Sequence, residues 1–412
     1  MDAVQQHIDK LYKEHFGKLV ALLLYNFRDM DPGNAEDFVQ DAFSAALTNW
    51  RLQGIPDNAS GWIYTVCRNK ALNQLKKNKR IQPFDVTVNH ETTGPAFSER
   101  LPGDPQLILL FSCAHPDLSP KEQLVITLKY VINLKVAAIA KVLGMTIDGA
   151  DKLLVRARQK IKTGKILFEA PHPSALQPRL PIVHKIIYLV FNEGYKTSWG
   201  KELIREELCE EALLLNQSLM DAGLANKDTT ALHALMLFNS ARFVSRFGSS
   251  GELLELEKQD RSTWNTDLIQ LGCQFLRQSQ DARLSSYHLE AAIACLHCTA
   301  TSFAATDWKM IADLYARLLQ QQPNPFASLN YAIALYHAKQ PQACFSILNE
   351  LLRNPFMAGY YLLNYTAGKL YKLQGQPQLA KQFLEKALLQ TNAGKEKDSI
   401  REMLDKPDHT TV

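Results

Sequence analysis

No apolar run in this 412-residue chain approaches the roughly 20 residues that a membrane-spanning helix needs. The opening segment, MDAVQQHIDKLYKEHFGKLV, is charged and amphipathic, so it does not read as a signal peptide, and the expectation is a cytoplasmic protein with no membrane partner. Segments rich in Val, Ile and Thr with clean alternation are missing as well. Almost every stretch has a helical period instead, which predicts an all-α protein. The seven cysteines (Cys67, Cys113, Cys209, Cys273, Cys295, Cys298, Cys344) are odd in number and dispersed in apolar helical text, which excludes a secreted disulfide scaffold and reads as buried, reduced thiols. There is no glycine-rich phosphate loop, no Ser/His/Asp set and no paired-carboxylate arrangement. A bond-making enzyme is therefore not expected, nor a cofactor. Cys295 and Cys298, with His288 and His297 nearby, have a zinc-like spacing, but no second ligand pair follows and the segment reads as a packed helix rather than a metal site.

What the chain does have is localised charge. Lys plus Arg against Asp plus Glu stand at 5 to 9 in residues 1–60, 6 to 0 in 61–80, 1 to 5 in 81–120, 10 to 4 in 121–170 and 24 to 24 in 171–412. Two basic islands separated by an acidic spacer, then a neutral remainder, are the pattern of a chain that touches a polyanion at two points. Proline marks the borders. Pro83, Pro95, Pro102 and Pro105 lie in an aperiodic stretch that reads as a linker over 81–105, and Pro171, Pro173, Pro178 and Pro181 read as a second, stiffened connection before the long C-terminal part. The predicted organisation is 1–80, a linker 81–105, 106–170, and 172–412.

The second basic island carries the clearest chemistry. Val136, Ile139, Ala140 and Leu143 share one helix face, Gly144 and Met145 supply a turn, and Thr146 is a candidate N-cap for the next helix. In that helix Ile147, Ala150, Leu154, Ala157 and Ile161 fall within about 80° of arc at 100° per residue and predict the core face. Opposite them Lys152, Arg156 and Lys160 recur every four residues, an outer face fit for a nucleic-acid groove. A short helix, a glycine turn and a second helix with a basic stripe describe a helix-turn-helix. The candidate DNA contacts here are Thr146, Lys152, Arg156, Arg158 and Lys160. In the first island Trp62, Ile63, Val66 and Cys67 share a face, while the following residues are basic on all sides and call for water or an anionic neighbour.

These residues bring a resemblance. AEDFVQDAF (35–43), GWIYTVCRNKALNQLKK (61–77) and LSPKEQLVITLKYVINLKVAAIAKVLGMTIDGADKLLVRARQKI (118–161) resemble regions 2 and 4 of an extracytoplasmic-function (ECF) sigma factor, in order and spacing. FNEGY (191–195), ELCEEALLL, LEKQDRSTWN, YHLEAAIACLH and TDWKMIADLYARLL are similar to the C-terminal extension of one ECF subgroup. The resemblance implies a non-enzymatic promoter-recognition subunit that binds core RNA polymerase, through the β′ clamp helices and the β subunit, and promoter DNA at the −10 and −35 elements. It implies that Glu36, Asp37, Val39, Gln40 and Phe43 lie on the helix that docks on the clamp helices. It further implies that Asn58, in the loop 51–61, holds an extruded −10 base, and that Arg68, Asn69, Asn73, Lys76 and Lys77 contact the strands nearby. Asn73 stands where the family often has Asp, and Gln74 where it often has Arg, a departure that bears on promoter sequence. A small YCII-related protein is an implied further partner.

The C-terminal part has its own periodicity. Aligning Gln340-Pro341 with Gln376-Pro377, an offset of 36, brings Leu335 onto Tyr371, Cys344 onto Ala380 and Leu348 onto Leu384. This is close to the 34 residues or so of a tetratricopeptide (TPR) repeat and predicts a TPR-like helical domain. FNEGY, with Glu193 and Tyr195, reads as a turn that packs the extension. A neutral domain on a short connection suggests regulation of the sigma part in cis. Two other readings stay open: a helix-turn-helix repressor with a helical ligand- or protein-binding domain, which would dimerise on duplex DNA by itself, and a repeat scaffold whose basic helices are incidental.

Overall fold

The computed structural model describes residues 3–27, 30–79, 105–164, 166, 172–195, 206–248, 254–391 and 394–405. The linker expected over 81–105 lies almost wholly outside them. The regular elements among the described residues are helices, as the period predicts, and they form two compact units, Met1–Ala225 and Asn226–Val412.

The first unit opens with three long helices, α1 (Ala3–Asn26), α2 (Pro32–Gln53) and α3 (Ala59–Lys79). Leu19 to Leu24 of α1 are all buried, and α2 presents Ala35, Val39, Ala42, Phe43, Ala46 and Trp50 inward at three- and four-residue spacing. Ile63, Cys67 and Ala71 of α3 close the bundle. Aromatic edges lock it, with Tyr12 on Phe43 at 4.9 Å and Trp50 on Trp62 at 5.5 Å between ring centroids. Asp31 caps α2 by accepting from the Gly33 amide at 2.8 Å, and Pro32 occupies the first turn, where a missing N–H is harmless.

Four shorter helices follow: α4 (Pro105–Cys113), α5 (Pro120–Tyr130), α6 (Val136–Val142) and α7 (Ile147–Thr163). A capping box starts α5: the Ser119 hydroxyl accepts from the Glu122 amide, and the Glu122 carboxylate accepts from the Ser119 amide at 2.8 Å. Two more helices, α8 (Pro173–Tyr195) and α9 (Glu206–Asp221), complete the unit.

Here the structure departs from the expected stiff connection. Pro178 and Pro181 lie inside α8. Each forfeits a helical hydrogen bond, costing about 3 kcal/mol. The helix persists because Leu180, Val183, Ile186, Ile187, Val190 and Phe191 are buried along it, at about 1.5–3 kcal/mol for each large side chain. FNEGY is accordingly the last turn of α8 and not a loop turn. The composition changes near 172, but the packing border falls after Ala225, because α8 and α9 belong with the preceding helices: Arg179 donates to the Phe111 carbonyl at 2.8 Å, and Gln106 is hydrogen-bonded to Glu211.

The second unit comprises α10 (Lys227–Ser240), α11 (Thr266–Gln278), α12 (Ser286–Thr299), α13 (Trp308–Gln321), α14 (Pro325–His337), α15 (Pro341–Arg353), the short α16 (Pro355–Ala358), α17 (Tyr361–Leu373), α18 (Pro377–Gln390) and α19 (Gly394–Asp405). Residues 231–238 of α10 are all buried, so this helix is enclosed. A continuous apolar cluster links α12 to α17 through Leu289, Ile311, Leu335, Cys344, Leu348 and Leu363.

The 36-residue offset is visible in the backbone. Lys339 (φ 63°) and Gly375 (φ 68°) take the same left-handed turn after α14 and α17. Gln340 donates to the Leu335 carbonyl at 2.9 Å, and Gln376 to the Tyr371 carbonyl at 3.0 Å. Leu348 and Leu384 are both 1% exposed.

Candidate nucleic-acid interface

The helix-turn-helix is formed by α6 and α7. Gly144 at φ 63° makes the turn, and the Met145 amide bonds back to the Ala140 carbonyl at 2.8 Å. Thr146 caps α7 through the Gly149 amide at 3.1 Å. The inner face of α7 is Ala150, Leu153, Leu154, Ala157 and Ile161, all buried. Ile147, expected on that face, is instead 59% exposed at the first position of α7. The core stripe is completed by Leu153, which the four-residue spacing passed over.

Outward, Lys152, Arg156 and Lys160 are exposed, as is Thr146. Lys152 pairs with Asp148 at 2.8 Å on the open surface, an interaction worth little in water and readily exchanged for a phosphate. Arg156 has its Nε on the Lys152 carbonyl at 3.3 Å, which aims the guanidinium along the helix. Lys160 reaches the buried end of Glu122 at 2.9 Å. Burial alone would raise the Glu122 carboxyl, but the bonds from Lys160 and Ser119 hold it below the usual carboxylate range.

On α3, Arg68 and Asn73 are exposed and Asn69 and Lys76 half-buried, on the side away from Ile63 and Cys67; the Lys77 side chain lies outside the described residues. Asn58 caps α3, its Oδ1 accepting from the Gly61 amide at 2.9 Å. The loop expected over 51–61 is shorter, 54–58; Leu52, in the last turn of α2, is exposed at 82% and Ile55 in the loop at 40%, with Gly54 at φ 85°. These two apolar side chains, and Ile147 and Val155 on α7, were not foreseen. They interrupt no period, so a search for charge passes them by. Apolar groups beside exposed cations suit contact with bases and thymine methyls.

The five residues expected on the docking helix divide by exposure. Asp37 and Gln40 face outward, whereas Val39 and Phe43 belong to the bundle core and Glu36 is 8% exposed. Glu36 is paired with Lys129 of α5 at 2.6 Å, and Arg158 of α7 with Asp31 at 2.7 Å. Burial would lower the Arg158 guanidinium, but its hydrogen bond to Asp31 holds it above its ordinary value. The two predicted binding surfaces are thus drawn together in one unit.

Three family models match the chain. One described as Sigma-70 region 2 covers residues 11–81, one described as Sigma-70, region 4 covers 108–161, and one described as a family of unknown function (DUF6596) covers 179–280. The last takes in α8 and α9 of the first unit and α10 and α11 of the second. An uncharacterized protein of Rhizobium meliloti (strain 1021) is 32% identical over 394 residues, which are 93% of this chain and 92% of that protein. No solved structure matches. Among the described residues no helix is long and apolar enough to cross a membrane.

Proposed function

We propose a mode of promoter recognition and control that proceeds from one premise: the chain belongs to the sigma-70 family of RNA polymerase sigma factors, in its ECF class, and carries a C-terminal helical extension. As a sigma factor it binds core RNA polymerase and promoter DNA. Residues 1–80 act as region 2, with Asp37 and Gln40 on the open side of α2 meeting the β′ clamp helices and Glu36 joining them once uncovered. The segment 51–61 takes a −10 base, Asn58 presenting it and Leu52 and Ile55 wedging beside it, and Arg68, Asn69, Asn73, Lys76 and Lys77 follow the strands. Residues 106–170 act as region 4 at the −35 element through Thr146, Lys152, Arg156 and Lys160, with Arg158 on the flanking phosphate. The protein makes and breaks no bonds itself and works in the cytoplasm.

The observation that carries this reading is α7: a capped helix after a left-handed glycine turn, apolar on one face and bearing exposed Lys152 and Arg156 on the other. Run-off transcription with core polymerase on genomic fragments tests it. Specific transcripts that require both proteins are expected; a chain that binds a palindrome alone as a dimer and adds no transcript overturns it in favour of a repressor.

Residues 172–412 regulate the sigma part in cis. Supporting this, α8 packs on α5, and its Glu193 lies 3.9 Å from Lys141 of α6. The TPR-like hairpins α14–α15 and α17–α18 offer the receptor surface for the regulating partner, for which a small YCII-related protein is one candidate, testable by co-purification.

A further inference from the structure

The CxxC spacing of Cys295 and Cys298, zinc-like in the sequence, comes apart in the fold. Cys298 turns inward and donates to the Phe238 carbonyl of α10 at 3.5 Å. Cys295, one turn earlier on α12, faces α11 instead and meets Cys273, with the two Sγ atoms 3.7 Å apart. All seven cysteines are free thiols; five are buried, and these two are half-buried. Among the described residues no group of three or more His, Cys, Asp and Glu side chains is placed to hold a metal ion, so metal binding does not account for the pair.

The surroundings hold these sulfurs in place. Helices α11 and α12 pack on each other, and both pack on α10. Gly272, next to Cys273, lies flush against the Phe238 ring, where an added Cβ would stand 2.9 Å away, and Phe275 meets the His233 ring edge-on at 4.7 Å. At the turn between the two helices the buried His288 donates through Nε2 to the Ser279 carbonyl at 2.9 Å, and its Nδ1 lies 2.9 Å from the Ser285 hydroxyl. The helices therefore cannot slide past one another, and the approach of the thiols belongs to the packed core. An S–S bond is about 2 Å long, so what remains to be closed is within the reach of side-chain rotation. Arg277, one turn along α11 from Cys273, sets a positive charge beside the pair, which favours a thiolate.

We propose that Cys273 and Cys295 form a modification site, a dithiol that a hydroperoxide closes to a disulfide between α11 and α12. The proposal stands on the second unit alone and is independent of the sigma reading. The Cys273 sulfur attacks the hydroperoxide oxygen, the O–O bond breaks, and the thiol proton leaves with the departing alcohol or water, so Cys273 becomes a sulfenic acid. The Cys295 sulfur then attacks the sulfenic sulfur; the S–S bond forms, and the sulfenic hydroxyl leaves as water with the Cys295 proton. Two thiols and one hydroperoxide are consumed. The order follows from the surroundings: burial, with Cys273 beside it, pushes the Cys295 thiol up to about 12, so it keeps its proton and acts second. In a compartment kept reducing, such a bridge lasts only while peroxide is present, and a dithiol reductant reopens it by exchange.

The test uses the full-length chain, reduced, freed of reductant and kept in native buffer. Hydrogen peroxide is added, the remaining thiols are alkylated in denaturant, and a non-reducing digest is mapped by mass spectrometry. A 273–295 linked peptide is expected as the main oxidised species, and dithiothreitol should reverse it. Cys298→Ser should keep the link, and Cys273→Ser should lose it. Because the packed hairpin already holds the pair, the bridged second unit should melt higher than the reduced one, a gain absent in peroxide-treated Cys273→Ser. Oxidation that ends in sulfinic acid, a link that uses Cys298, a link that forms only in denaturant, or a bridged chain that melts lower than the reduced one overturns the proposal. The map of the unmutated chain decides the matter even if a variant fails to fold.

Discussion

Both units bury an apolar core, and they differ in where charge joins their helices. In the first, charged groups bridge helices at Glu36–Lys129, Asp31–Arg158 and Glu122–Lys160. In the second, α12 to α17 share one apolar cluster, and charge enters at the edge, where Lys369 meets Glu255 at 2.5 Å and Glu257 at 3.1 Å. An ion pair can be traded for another ion of like sign at small net cost, whereas buried apolar area returns to water only at full price. The helix junctions of the first unit are therefore the ones sensitive to a competing ion, and those of the second the ones sensitive to loss of apolar volume.

The largest effect that would break this contrast is in the apolar core. Ile311→Ala in the second unit, at a site with no exposure, should cost about 2–5 kcal/mol by cavity formation, read as a lowered melting transition of that unit. Leu154→Ala should do the same to the helix-turn-helix. If Ile311→Ala melts like the parent, the second unit is not held by that cluster.

Next is the boundary. A chain ending after Ala225 should keep a cooperative first unit that still binds core polymerase, whereas one ending after Ala170 strips α8 and α9 from α4 and α6. The shorter fragment should melt lower and expose apolar surface to a hydrophobic dye. Transcription from the target promoter should change strongly with the Ala225 truncation; equal transcript levels at matched concentration would show that residues 226–412 are not regulatory.

Smaller is the loss of one exposed cation. Arg156→Ala should weaken promoter binding by roughly 1–3 kcal/mol while leaving the melting temperature nearly unchanged. A variant that altered only stability would place Arg156 in the fold instead of at the DNA.

Acid should separate the units next. In the second, burial pushes His233 down to about 4, and burial together with Arg242 and Arg261 pushes His297 down to about 3. Both are neutral in the fold and protonate near 6.5 when unfolded, so the unfolded chain binds more protons below that value. Stability of the second unit should fall as pH drops from about 6.5 toward 4, and His297→Gln should flatten the slope. The smallest change is at the matched turns. Lys339→Gly should stabilise by up to about 1 kcal/mol, and Gly375→Ala should cost about as much, because both positions are left-handed.

The helix-turn-helix was legible almost entirely from local text: Gly144, the Thr146 cap and the outward Lys152 and Arg156 follow from residues within one turn of each other. The 36-residue echo was legible too, from Gln340-Pro341 and Gln376-Pro377, whereas the matched left-handed turns at Lys339 and Gly375 just before them came from the structure. Less legible was α8, since Pro178 and Pro181 argue against a helix locally and only the burial of Val183, Ile186 and Val190 against neighbours outweighs them. Glu36 was read as an accessible acid because AEDFVQDAF has no feature that reports a lysine about ninety residues away.

The sequence by itself determined the helical class, the cap and turn positions, the two basic islands and the repeat, because each depends on side-chain chemistry over a few consecutive residues or on a fixed period. Only the tertiary structure decided that the extension's first two helices belong with the sigma part, that Arg158, one of the expected DNA contacts, rests on Gly33 and pairs with Asp31, and that Glu36 faces Lys129. Those outcomes depend on which surfaces close against each other, and burial and ion pairing between distant segments are set by packing in three dimensions, to which no local pattern in the chain is sensitive.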